Sequence, residues 1–244
     1  QRQMCIRDRK AEETYSYVAV KAGYVTKKDT ISVTEDTEKT ITMEKAPESS
    51  RKDVSAAWKN FRNSDDNMGI TSAKTPTSEA TTYEKWFKKL GSGWGAAPSV
   101  QIIVDNSLIV MSANHIYKLD LNTGDILQTG DMVAATNFGY TPPTYADGMI
   151  FAPLADGRVQ AFNAETLESL WVYQDTLKGQ SLSPITYSDG YIYTGFWNAE
   201  TKDANYVCIP VTDEDPTNTQ EAKEAAWQYT SLGLSLIHIS EPTR

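Results

Sequence analysis

The sequence predicts an all-β fold assembled from repeated four-stranded units. Three features carry this reading: a turn dipeptide recurring at a fixed interval, an apolar strand after each recurrence, and tryptophan late in the unit. Asp105-Asn106, Asp147-Gly148 and Asp189-Gly190 stand 42 residues apart. Each is suited to joining two antiparallel strands, because Asn and Gly tolerate the positive φ of a tight hairpin turn. LIVM, MIFA and YIYT follow the three pairs, and Pro142 and Pro184, also 42 apart, open the strands that lead in. Downstream, HIYKLDLNTGDILQ aligns with RVQAFNAETLESLW at a shift of 43 residues, giving strand, polar turn and strand. One unit is thus four strands in about 42 residues, too short for a parallel βαβ unit with its helix.

In chain order, residues 1–9 (QRQMCIRDR) show no hydrophobic alternation, and residues 234–244 (LSLIHISEPTR) break off the repeat. Both strings resemble translated sequencing-adapter read-through of the kind found at the edges of metagenomic contigs. That resemblance implies that Cys5 and His238 are not biological residues and that the chain is an internal piece of a longer protein. Over 10–46 the side chains alternate with period two: Tyr15, Tyr17 and Ala19, then Ile31 and Val33, then Ile41 and Met43. Gly23 and Thr34–Glu38 punctuate them, which predicts three short antiparallel strands with one buried face. Three strands need a second layer to cover that face. The string from Tyr15 to Lys45 resembles the last strands of surface-protein β-sandwich modules of the PEGA or carboxypeptidase-regulatory type. Residues 47–56 read as a linker, within a stretch (APESSRKDVS) marked by proline, serines and charges.

Residues 57–233 hold the repeats. Units of this length match propeller blades, so about three blades of a partial β-propeller are expected, set in an open arc with unpaired edges that invite aggregation. The third unit keeps YSDGYIYTGFW, then inserts NAETKDAN and the acidic turn TDEDPTNTQEAKEA, both expected as surface loops. Trp171 and Trp227 mark closing strands. Counting back 43 residues from Trp171 reaches Gln128, and 42 more reaches Trp86. Tyr83–Leu90 is therefore expected to be a detached closing strand, displaced or poorly paired, of the kind that completes the last blade of a ring.

With 23 basic and 32 acidic residues, a formal charge of -9 and a pI near 4.8, the chain is a poor partner for nucleic acid, whose phosphates need Lys and Arg. No stretch approaches the roughly 18 apolar residues of a membrane-spanning helix. Two cysteines, Cys5 and Cys208, and two histidines, His115 and His238, give neither a disulfide framework nor a four-thiolate zinc site. Asp120, Asn122, Gly124 and Asp125 are spaced like a calcium loop, but the distal glutamate is absent and the string sits at a hairpin, so a turn is expected. Asp213-Glu214-Asp215 reads as a solvated acidic loop. His115 opens an outward strand without a Ser or Cys nucleophile beside it, and Cys208, between Val207 and Ile209, reads as a small packed hydrophobe. Trp94, Phe138, Tyr140, Phe196 and Trp197 lie near the blade joints, where packing between blades is expected and a platform for sugars or peptides is the alternative. No residue is assigned a catalytic, cofactor-binding or metal-binding role.

WKNFRNSDDNMGIT (Trp58–Thr71), KTP (Lys74–Pro76), KWFKKLGSGWGAAP and DGMIFAPLADGRVQAFNAETLESLW resemble the PQQ-like β-propeller repeat family, from about Trp58 to Thr230. The blade motif reads here as Asp147-Gly148, Ala161-Phe162-Asn163 and Leu170-Trp171. That family includes quinoprotein alcohol dehydrogenases and the outer-membrane-assembly lipoprotein, and the chain is most similar to propellers in large cell-surface proteins of gut Firmicutes. The dehydrogenase resemblance implies an eight-bladed ring, calcium, a catalytic aspartate and commonly a disulfide of adjacent cysteines. Cys208 has no neighbouring cysteine, and no residue matches that aspartate or the calcium ligands. The expected function is a non-catalytic binding or scaffolding module of a secreted or cell-surface bacterial protein. Its loops at one propeller face would contact a protein, peptide or glycan, with no cofactor, nucleic acid or membrane insertion. The alternatives are a quinoprotein dehydrogenase-type enzyme binding PQQ and calcium, and a spacer without ligand.

Overall fold

The computed structural model describes residues 13–66, 68–136, 141–199 and 202–232, apart from the side chains of Trp94 and Leu232. Both terminal strings, Phe138 and Tyr140 lie outside those residues. Strands β1 (Glu13–Ala19) and β2 (Lys27–Val33) form an antiparallel hairpin. The third strand expected around Ile41 and Met43 is not formed. The backbone there turns to the hairpin's loop instead: Tyr24 bridges Lys45, Val25 N–H donates to Glu44, and Ala46 N–H to Gly23. Among the described residues, no second sheet covers this hairpin.

Three blades follow, each a meander whose first hairpin turns on the recurring dipeptide. Blade 1 contains β4 (Ile102–Val104), β5 (Ser107–Ser112), β6 (His115–Asp120) and β7 (Ile126–Asp131), with β3 (Ala56–Trp58) added at the β4 edge. Blade 2 contains β8 (Thr144–Ala146), β9 (Met149–Leu154), β10 (Arg158–Asn163) and β11 (Ser169–Gln174). Blade 3 contains β12 (Thr186–Ser188), β13 (Tyr191–Gly195), β14 (Asp203–Pro210) and β16 (Trp227–Leu232). Asp105, Asn106, Asp147, Gly148, Asp189 and Gly190 all take φ between 49° and 81°, the conformation the tight turn demands.

The acidic insertion of blade 3 is not a free loop. It carries β15 (Glu221–Lys223), which pairs in parallel with β11 on the outer edge of blade 2. The side chain of its last residue, Lys223, is sealed from water and bonded to Glu214 Oε1 at 2.7 Å, to Glu221 Oε1 at 3.0 Å and to the Thr212 carbonyl at 2.6 Å. An ammonium without exposure needs these oxygens, and they explain why so acidic a string folds back rather than pointing into water.

Two apolar clusters form the core, one in each space between successive blades. The first joins Ile102, Ile109, Met111 and Ile116 of blade 1 to Ile150, Leu154 and Phe162 of blade 2, with Leu167 from the turn beyond β10. The second joins Phe151, Val159, Trp171 and Tyr173 of blade 2 to Ile192, Val207 and Ile209 of blade 3. Burial on both faces makes β9 continuously apolar, as its MIFAPL sequence requires. The blades thus stack in series as part of a propeller.

Tyr83–Leu90 forms no strand. Trp86 nevertheless lies against the β6–β7 turn: its Nε1–H donates to the Leu121 carbonyl at 3.1 Å, and a Cβ at Gly124 would come within 2.5 Å of its ring. Trp171 makes the equivalent bond to the Val211 carbonyl of blade 3, at 3.2 Å.

Candidate functional site

Each blade has two ends. One carries the dipeptide turns and the turns that close the third strand; the other carries the β5–β6, β9–β10 and β13–β14 loops and the connections between blades.

The first end is covered by the chain's own N-terminal segment. Ser55 accepts the Asp105 N–H at 2.8 Å, the Lys52 carbonyl lies 2.8 Å from where a Cβ on Gly148 would sit, and Ala22 lies over Gly190 and donates to the Tyr191 hydroxyl at 3.0 Å. The stretch expected as a linker is therefore a strap across the dipeptide turns of blades 1 and 2, and the hairpin loop at Ala22 covers the equivalent turn of blade 3. Arg51 Nη1 pairs with Asp213 Oδ2 at 2.8 Å with both side chains nearly sealed from water, so Asp213 is a buried anchor and not part of a solvated loop. Asp53 accepts the Tyr145 hydroxyl at 2.5 Å, and Val54 N–H donates to that hydroxyl at 2.7 Å. Burial, reinforced by the hydrogen bond to Asp53, pushes the Tyr145 phenol up to about 12. A cleft of about 470 Å³ remains under the strap, lined by Lys45, Arg51, Asp147, Asn163 and Asp213 among others. Of these, Arg51 and Asp213 already hold the strap in place.

Among the described residues, no strap crosses the second end. Val133, Leu177 and Trp197 stand out from it, 37%, 37% and 41% exposed. Each belongs to a loop fixed from beneath. Val133 N–H donates to Gln160 Oε1 at 2.9 Å, and Gln160 is itself buried. Leu177 N–H donates at 3.0 Å to Asp175 Oδ2, whose other oxygen accepts Asn205 Nδ2 at 2.7 Å. Trp197 and Gln180 exchange backbone hydrogen bonds of 2.9 and 2.6 Å. The backbone at Val133 and Leu177 is held by the buried side chains of Gln160 and Asp175, and that at Trp197 by the Gln180 backbone, while the three apolar side chains project. Next to Trp197, Phe196 turns inward and stacks on Tyr173 at 6.2 Å. The two neighbouring aromatics, given one expectation by sequence, thus divide between packing and exposure.

The remaining candidates take structural places. Asp120 Oδ1 accepts the N–H groups of Asn122 and Thr123 at 2.7 and 2.9 Å, and these bonds hold its carboxyl below the ordinary value. Asn163 does the same for Glu165 and Thr166 at the equivalent turn of blade 2. The calcium-like string is therefore a capped turn. His115 opens β6 and meets Asp131 at 2.9 Å. Cys208 is buried beside Tyr193, where burial raises its thiol above the ordinary value. Calcium asks for six to eight oxygen ligands, and no cluster of three or more His, Cys, Asp or Glu suited to a metal occurs among the described residues. These residues do not fit the calcium-bound quinone that the dehydrogenase resemblance implies.

Three comparisons place this geometry. The family model described as outer membrane protein assembly factor BamB matches residues 77–199, half of the chain. Among solved structures, the quinohemoprotein alcohol dehydrogenase ADHIIG from Pseudomonas putida HK5 aligns at TM-score 0.54 and 16% identity, over 71% of this chain and 26% of its own. The quinohemoprotein alcohol dehydrogenase from Comamonas testosteroni aligns at 0.51 and 19%, over 71% and 27%. BamB from Moraxella catarrhalis aligns at 0.36 and 11%, over 51% and 33%. The chain spans about a quarter of the dehydrogenases it matches. Among curated proteins, none matches. Identities this low report the fold alone, and with the family model covering half of its length, the chain belongs to the PQQ-like β-propeller repeat family.

Proposed function

We propose that this chain is a non-catalytic binding module, part of a secreted or cell-surface bacterial protein, that holds a protein or peptide partner at the unstrapped end of its blades. The observation that carries the reading is the set of three projecting apolar side chains, Val133, Leu177 and Trp197, on loops fixed by Gln160, Asp175 and Gln180. An exposed tryptophan on an immobile backbone is the kind of residue that anchors a protein interface at low entropic cost. The family supports protein partners, since its model is described by an assembly factor. The cell-surface setting rests on the resemblance of the repeats.

Panning the 244-residue chain against a displayed peptide library should return apolar ligands that lose at least tenfold in affinity on Trp197→Ala and keep it on Tyr83→Ala. Ligands indifferent to Trp197 would overturn the assignment of the face. Alcohol-dependent dye reduction by the chain loaded with PQQ and calcium would overturn the non-catalytic reading in favour of the quinoprotein one.

A further inference from the structure

The cleft under the strap holds more polar groups than the strap uses. Arg51 and Asp213 meet there through one contact, Nη1 to Oδ2 at 2.8 Å, with side chains 10% and 5% exposed. A guanidinium carries five N–H donors, and a carboxylate two oxygens that each accept. Beyond that contact, the buried Arg51 Nε–H has no acceptor among the described residues, and the buried Asp213 Oδ1 has no donor. Charged atoms left dry and unpaired are costly, and a fork-to-fork pairing of the same two groups would have avoided it.

Two neighbours in the cleft wall are in a similar condition. Asn163 Oδ1 accepts the N–H groups of Glu165 and Thr166, while its Nδ2 amide has no acceptor among the described residues. The Asp147 carboxylate, at the dipeptide turn of blade 2, accepts no hydrogen bond among them either. The wall therefore offers donors from Arg51 and Asn163 and acceptors from Asp147 and Asp213, and it includes the aliphatic side chains of Leu170 and Val211.

Charge narrows what fits. An anion would meet the carboxylates of Glu48, Asp147 and Asp213, and a cation would meet Lys45 and Arg51. A hydroxyl both donates and accepts, so a ring carrying several of them serves such a mixed wall, with its C–H face against the aliphatic side chains. The volume of about 470 Å³ lies within the range of small-molecule sites and has room for two sugar rings.

We propose that the cleft under the strap binds a neutral disaccharide. Its hydroxyls donate to Asp147 and Asp213 and accept from Asn163 and Arg51. Because Arg51 Nε and Asp213 Oδ1 are sealed, the Arg51–Asp213 pair opens as the sugar enters, and the strap shifts with it. This site lies at the opposite end of the blades from Trp197 and stands independently of the peptide-binding face.

Saturation-transfer NMR on the 244-residue chain tests this with maltose, cellobiose, lactose and sucrose, and with glycylglycine and inorganic phosphate as charged probes. At least one disaccharide should receive saturation. Asp147→Asn keeps a residue suited to the positive φ of the turn, and Asn163→Asp keeps the oxygen that caps its own turn. Each should weaken the titrated affinity for that sugar about three- to tenfold, the worth of one hydrogen bond, while Tyr83→Ala leaves it unchanged. If one variant loses native circular dichroism, the other decides. No saturation of any disaccharide would overturn the proposal, as would sugar binding indifferent to the folded variants. Saturation of glycylglycine or a phosphorus shift of phosphate, without any sugar signal, would replace the sugar site with one for charged ligands.

Discussion

Three backbone carbonyls at equivalent positions, those of Leu121, Ala164 and Val211, each directly follow the third strand of a blade and each accept a side-chain donor from the preceding segment. Two donors are the indoles of Trp86 and Trp171; the third is Lys118, whose Nζ lies 3.4 Å from both the Ala164 carbonyl and Asp105 Oδ2. Lys118 pairs across the sheet with Gln128, the residue standing where tryptophan stands elsewhere, and Trp171 lies opposite Ala161. A long cation beside glutamine thus replaces an indole beside a small residue, and the same acceptor is served. Trp171→Ala should cost about 3–5 kcal/mol in urea unfolding, through the cavity and the orphaned carbonyl. Lys118→Ala alone should destabilise, and Lys118→Ala with Gln128→Trp should recover stability by rebuilding the pair used in blade 2. The interval between Trp171 and Trp86 was readable in the sequence because repeats preserve position. The part played by Lys118 was not, since nothing in a local string shows that an ammonium will cross to the neighbouring sheet.

At the scale of elements, the strands inside the repeat were legible, even the three-residue β8 and β12 that follow Pro142 and Pro184, and the short strands outside it were not. β5, β9 and β10 are six residues each, with composition and turn chemistry that declare them. β3 and β15 have three residues each, AAW and EAK, and exist because a distant edge accepts them. The insertion around β15 also ties in the N-terminal hairpin region: Thr26 donates to Glu214 through N–H at 2.6 Å and Oγ1 at 2.8 Å, and Lys28 pairs with Glu224. Burial would raise the Glu214 carboxyl, but the bonds from Lys223 and Thr26 outweigh it and hold it below the ordinary carboxylate value. A carboxyl lowered on folding stabilises the fold above its unfolded pKa, about 4.3, and the contribution is lost as pH falls through the folded value. The hairpin should therefore loosen as the medium is acidified below about pH 4, seen as faster amide exchange in β1 and β2 after correction for intrinsic rates. Glu214→Gln should exchange faster already at neutral pH and lose that acid step.

Across the whole molecule, the blades follow from periodicity, whereas the strap over their turns follows only from contacts between positions far apart in sequence. Proline, serines and charge in 47–56 describe an irregular backbone correctly and leave its docking unstated, because Arg51 finds Asp213 across 162 positions. The exposed trio at the opposite end was legible in part: Trp197 stood among the candidate platform residues, while Val133 and Leu177 carry no signal until the topology brings their loops to one end. Gly148→Ala should free the strap. The new Cβ would meet the Lys52 carbonyl at 2.8 Å in a residue with φ of +68°, a cost above about 1 kcal/mol, and trypsin should then cut after Arg51 and Lys52 faster while the blades stay intact. The clasp of β15 on β11 has a mechanical consequence as well. Its strands run in the same direction on neighbouring blades, so a pull on the chain would load their hydrogen bonds lengthwise and together instead of opening them one by one. Blades 2 and 3 should yield to force as a single unit, giving one large rupture where separate blades would give two.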